Sequence, residues 1–155
     1  MGQQQLLLLV LATVIVGLAT VAGIQAFDEN RRQAAADALQ QKATTLTTDI
    51  KGLDSKPQQM GGLPEGLGVS KSKIGSRLGF ENTEDDGTGT YYVPVPSAGE
   101  GSGTSGPHCK IHNTKTGQIS IKCVGAGDYS GLDFYGVYDQ DGTPQVSVQP
   151  TDPTN

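Results

Sequence analysis

The side chains in this sequence best suited to chemistry crowd into one short stretch: His108, Cys109, His112 and Cys123. Two histidines and two cysteines are a donor set that zinc accepts when all four converge tetrahedrally. The local pattern argues against convergence. Cys109, Ile111, Ile119, Ile121 and Cys123 fall on one set of alternating positions, and His108, Lys110, His112, Gln118, Ser120 and Lys122 on the other. In a β-hairpin those two sets point to opposite faces, so no metal site is expected. The register that pairs Cys109 with Cys123 also pairs Ile111 with Ile121 and leaves a loop around Thr114-Lys115-Thr116-Gly117. A disulfide across the hairpin is the expected chemistry if the stretch lies outside the cytoplasm.

Asp139-Gln140-Asp141-Gly142 has the D-x-D-G spacing of part of a calcium loop but lacks the remaining ligands and the distal glutamate. It reads more simply as a hairpin turn with Asp-Gly at its tip. His108, His112 and the Asp139/Asp141 pair also motivate a competing reading, a monomeric membrane-tethered module that holds a ligand or metal. No Ser/His/Asp nucleophile arrangement and no phosphate-cradling loop in a strand–helix context is present. The sequence gives no reason to expect an enzyme or a cofactor.

These residues stand in the distal part of a chain that opens very differently. Leu6 to Phe27 carries no charge, and Gln25 is its only strongly polar side chain, with Thr13 and Thr20 as mild interruptions. Such a run is long enough to cross a bilayer core of ~30 Å as a helix. It is longer than the apolar core of a cleaved signal peptide and lacks a basic region before it, which favours a retained helix over cleavage after Ala26. From Asp28 to Asp54 there is no proline and one glycine, Gly52, with Ala, Gln, Leu and Lys dominant, so the helix is expected to continue. Asp28 and Arg32 have the i,i+4 spacing of a supporting pair. Ala36, Leu39, Ala43, Leu46, Ile50 and Leu53 recur at steps of three and four, one stripe that needs a partner. The two stretches predict one helical rod on the order of 75 Å, ended by Lys56-Pro57.

This architecture, an uncharged apolar N-terminal helix running into an amphipathic half and then a small β-rich domain with one cysteine pair, resembles the type IV pilin family. The resemblance implies a structural subunit: a helical homopolymer, held in the inner membrane before assembly, processed by a prepilin peptidase and built by a pilus assembly machinery. It also implies an extracellular filament, an N-methylated first mature residue and a glutamate at the fifth. With Met1 as the mature first residue, Gln5 stands where that glutamate would be and Leu6 opens the apolar run; with cleavage after Gly2, Leu7 takes the place. The carboxylate is missing either way. A proline deep in the span is missing too, which leaves Gly17 and Gly23 as weak points or as sites of close helix packing. Met1, Gln5, Leu6, Gly17 and Gly23 are therefore the candidate assembly residues. A pseudopilin of a secretion system would share all these features.

The fold expected is α+β: residues 1–27 an apolar membrane or filament-core helix, 28–56 its amphipathic continuation, and 57–155 a glycine-rich antiparallel β-domain on which the distal half packs. Glycines from Gly61 to Gly89 and from Gly99 to Gly106 predict loop rather than core over 57–107. Thr90-Tyr91-Tyr92-Val93, followed by Pro94 and Pro96, suits an edge strand. Further strands are expected at Leu132–Tyr138 and Gln145–Val148. The chain carries a net charge of −5, and the excess acid lies in the distal part, where residues 57–155 hold eleven acids against six bases. Binding to a nucleic-acid backbone, which needs clustered Lys and Arg, is not expected of such a surface.

Overall fold

The computed structural model describes residues 2–63, 71–83, 90–115, 117–139 and 147–149. Met1, Thr116, Gln140, Asp141, Gly142 and Gln145, to which parts of the sequence reading refer, lie outside the described residues. Helix α1 spans Gly2–Asp54. The chain divides into two units, Met1–Ala34 and Ala35–Asn155.

In the first unit every described residue of α1 is exposed. The two threonines of the apolar run are accommodated by back-bonding. Thr13 donates its hydroxyl to the Val10 carbonyl at 2.9 Å, and Thr20 donates to Val16 and Gly17 at 2.9 Å. A hydroxyl satisfied within its own helix needs no outside partner in an apolar setting. Asp28 and Arg32 form no ion pair, so the expected support from that spacing is not realised.

In the second unit α1 buries Ala35, Leu39, Ala43, Leu46, Thr47 and Ile50. The expected stripe is met with two shifts: Ala35 rather than Ala36 is fully covered, and Leu53 is only partly buried. Thr47 joins the stripe because its hydroxyl donates to the Ala43 carbonyl at 2.7 Å and leaves its methyl to pack. Beyond Asp54 the chain makes a short 3₁₀ turn at Gln58–Met60, closed by Gly61 in the left-handed region (φ 93°). Arg77 reaches back and donates to the Gly61 carbonyl.

Helix α2 (Lys71–Leu78) overturns the expectation of loop without core over 57–107. Leu63, Ile74, Phe80, Val95 and Ala98 all belong to the buried core. Helix α2 ends as many glycine-capped helices do: Gly79 is left-handed (φ 71°) and the Phe80 amide donates to the Gly75 carbonyl at 2.9 Å. Gly75 sits in the helix interior because the Tyr91 ring lies where its Cβ would be. The glycine is a contact, not a break.

Among the described residues the sheet is an antiparallel meander of six strands: β1 (Glu81–Thr83), β2 (Thr90–Pro94), β3 (His108–Lys115), β4 (Gln118–Val124), β5 (Asp133–Asp139) and β6 (Ser147–Gln149). Strand β2 is not an edge. It pairs with β1 through Tyr92 and with β3 through Pro94. The prolines are tolerated because β1 reaches only as far as Tyr92, so Pro94 has a neighbour on one side alone. The β3–β4 register places Cys109 opposite Cys123 and Ile111 opposite Ile121, then slips at His112, so that Asn113 faces Ser120 and Lys115 faces Gln118. That slip carries the pairing on to Lys115 and Gln118, further than expected, with Gly117 at φ 81°.

Candidate functional site

The candidate assembly residues Gln5, Leu6, Gly17 and Gly23 all lie on α1 in the first unit, and all are exposed. Thirteen large apolar side chains from Leu6 to Phe27 are each more than half exposed, Leu7 and Phe27 at 71%. By length and composition this helix can cross a membrane. Among the described residues a Cβ placed on Gly17 or Gly23 would meet nothing within 4 Å, so no described packing contact requires either glycine.

The cysteines are bonded to each other, their Cα atoms 3.9 Å apart and both side chains fully buried. Direct opposition across the two strands fixes this pairing, and Ile111, Ile119, Ile121 and Leu39 share the same core. Both sulfurs are thereby withdrawn from any metal chemistry.

The histidines stand on the other face of the sheet. His108 is buried, its Nδ1 2.8 Å from the Gly106 carbonyl and its ring edge-on to Tyr92. His112 is the extra residue of the β3 bulge. The bulge turns its ring edge-on to Tyr135 at 5.7 Å, and its carbonyl accepts a hydrogen bond from Lys71 Nζ at 3.0 Å. Among the described residues no three His, Cys, Asp or Glu side chains gather where they could hold a metal ion.

Strand alternation predicts a polar outer face here, yet Tyr92, Ser120, Tyr135 and Val137 are buried on it together with His108. The signal lay in β5, where Phe134, Tyr135, Val137 and Tyr138 supply apolar side chains to both faces, as a strand covered on two sides requires. Lys122 bonds Asp133 at 2.8 Å and lies 5.4 Å from the centre of the Tyr135 ring. The Asp133 carboxylate, with a smaller contribution from Tyr135, holds the ammonium above the usual lysine range against the desolvation that opposes it. Burial, reinforced by the hydrogen bond to Asp54, pushes the Tyr138 phenol up. A hydrogen bond with Glu81 is the main cause of the same direction at Tyr92.

Together these features define an α+β protein with a six-stranded antiparallel meander, one core disulfide and an N-terminal helix apolar enough to span a bilayer. Comparison of the chain with protein-family models, with curated proteins and with solved structures found no match.

Proposed function

We propose that this chain is the structural subunit of an extracellular type IV pilus-like filament, assembled through its apolar N-terminal helix. The observation that carries the reading is the uncovered surface from Leu6 to Phe27. Burying a large aliphatic side chain contributes about 1.5–3 kcal/mol. Thirteen such side chains left in water are therefore unfavourable by on the order of 20 kcal/mol or more, which exceeds the net stability of most domains.

A bilayer covers that surface before assembly, and other copies cover it afterwards. The neutral Gln3, Gln4 and Gln5 fit both settings, since burying an amide costs far less than burying a carboxylate. The disulfide-stapled second unit is the part presented to the outside, where an oxidised cysteine pair persists.

Electron microscopy of material sheared from cells tests the proposal. Filaments that contain this polypeptide are expected, and its absence from the sheared fraction overturns the reading. Scarce protein confined to the envelope would identify a pseudopilin instead. A monodisperse monomer in detergent that binds metal stoichiometrically would identify a tethered binding module.

A further inference from the structure

Helix α2 carries charge of one sign only. Its eight residues hold Lys71, Lys73 and Arg77 and no acid, half of the six bases in a stretch, residues 57–155, that has eleven acids. Two local rules are broken there. Lys71 and Lys73 stand in the first turn, where the helix dipole favours acids and none is present. Lys73 and Arg77 stand four apart on one face, where like charges repel. A sequence that breaks local rules without compensation inside the fold does so characteristically where a ligand is served.

The three cations are not equivalent. Lys71 donates to the His112 carbonyl at 3.0 Å and pins the helix to β3. Arg77 donates through Nη1 to the Gly61 carbonyl. Gly61 is left-handed, and a Cβ on it would stand 3.3 Å from that nitrogen, so the glycine makes room for the guanidinium. A guanidinium has five N–H donors, more than one carbonyl can use. Lys73 is exposed, and its ammonium makes no hydrogen bond or ion pair among the described residues.

Lys73 and Arg77 border a groove of about 380 Å³ that Ser72 and Ser76 also line. The short serines leave it open between the two long cations. Ser76 Oγ donates to the Ser72 carbonyl at 2.7 Å, so its proton is spent within the helix, and Lys73 and Arg77 are the charged donors of the groove. A guanidinium held at one end and an ammonium one turn away suit a group with several anionic oxygens: the fork gives direction and the lysine gives charge. A carboxylate would match only one of the two cations, whereas a phosphate monoester near neutral pH carries about −1.5 to −2 and matches both.

We infer that the Lys73–Arg77 groove of α2 binds phosphate, free or as a monoester. The groove belongs to a single copy, so the site exists whether or not the chain assembles.

Titration of the full-length protein in uncharged maltoside micelles tests this, read by NMR at Lys73, Gly75 and Arg77. Inorganic phosphate is expected to shift these signals with a dissociation constant on the order of millimolar, and chloride at equal ionic strength to leave them in place. Micelles doped with phosphatidic acid separate the sources. Saturation by the lipid at lower total phosphate assigns the site to a headgroup, and saturation by the inorganic ion at lower concentration assigns it to a soluble ligand; either outcome supports the groove. Lys73→Gln is expected to weaken binding about tenfold, with the protease resistance of the second unit unchanged, and Lys73→Arg to restore it. Lys110→Gln, which removes the same charge from β3, is expected to bind as wild type does. Absence of any shift with both phosphate sources overturns the inference, as does a chloride response equal to that of phosphate. Equal losses from Lys73→Gln and Lys110→Gln would show diffuse charge rather than a site, and unchanged binding by Lys73→Gln would place the phosphate elsewhere; both overturn it.

Discussion

Gly136 of β5 lies so close to Thr47 of α1 that a Cβ at position 136 would overlap the threonine hydroxyl, with the Ala43 carbonyl 3.1 Å away. Helix and strand meet here with no side chain between them. Because Thr47 Oγ1 donates to Ala43 at 2.7 Å, the crowded group is also a hydrogen-bonded one and cannot turn aside without losing its partner. Gly136→Ala is expected to destabilise the second unit by about 1–3 kcal/mol, the range for overpacking. Adding Thr47→Ala removes the overlapped oxygen and should recover part of the loss. Denaturant titration of the full chain in detergent measures both; a single variant as stable as wild type, or a double variant worse than the sum, contradicts the contact.

The phenol of Tyr138 donates to Asp54 Oδ2 at 3.0 Å, tying β5 to the last turn of α1. Its folded pKa is raised above the ordinary 10.0, by burial first and by Asp54 second. The proton is therefore released more readily from the unfolded chain. The stabilisation is fully present below pH ~10 and is lost as pH rises through the folded value. Tyr138→Phe should cost about 0.5–1.5 kcal/mol at neutral pH and make the alkaline decline shallower. Tyr92 and Lys122 are shifted in the same direction and leave a residual decline. Alkaline unfolding followed by phenolate absorbance checks this; identical alkaline curves for wild type and Tyr138→Phe would contradict it.

The pairing of Cys109 with Cys123 closes a loop of 14 residues' separation inside the core. Replacing both by serine is expected to destabilise the second unit by about 2–5 kcal/mol, with the apolar helix still inserted in the membrane. Filaments from such cells should be fewer or more sensitive to protease. Thiols that react with an alkylating agent in native, unreduced protein would refute the pairing, and unchanged protease resistance would refute its importance.

These contacts differ in how far the sequence announces them. Periodicity marks the α1 stripe because a helix covered on one side must repeat every three to four residues, and Leu39, Ala43, Leu46 and Ile50 do. The Cys109–Cys123 register is legible because one-residue slippage would send every isoleucine to the wrong face. Helix α2 is not legible, since Gly75, read locally, signals a turn, whereas its reason is the distant Tyr91 ring. The bulge at His112 leaves no local mark at all, because the extra residue is defined only by what faces it on β4. Of the candidate site, the apolar run was plain in the composition, but that Asp28 and Arg32 form no ion pair among the described residues required the structure.

Gly17 and Gly23 offer the sharpest separation between what the subunit needs and what assembly needs. Among the described residues nothing outside the local helix backbone comes within 4 Å of a Cβ at either position, and a glycine in a helix interior costs about 1 kcal/mol relative to alanine. Residues that weaken the helix and serve no contact inside the subunit are explained if small surfaces are wanted between helices, where close backbone approach substitutes for a hydrophobic drive. Gly17→Leu and Gly23→Leu should therefore leave membrane insertion and the protease resistance of the second unit unchanged, and make the detergent-solubilised helix no less helical by circular dichroism. Filament yield should fall, and fall further in the double variant. The alanine variants should lie between, since a methyl group is a smaller obstacle than an isobutyl. Wild-type filament yield from both leucine variants would mean that copies do not pack through these positions and that the glycines serve only to loosen the helix.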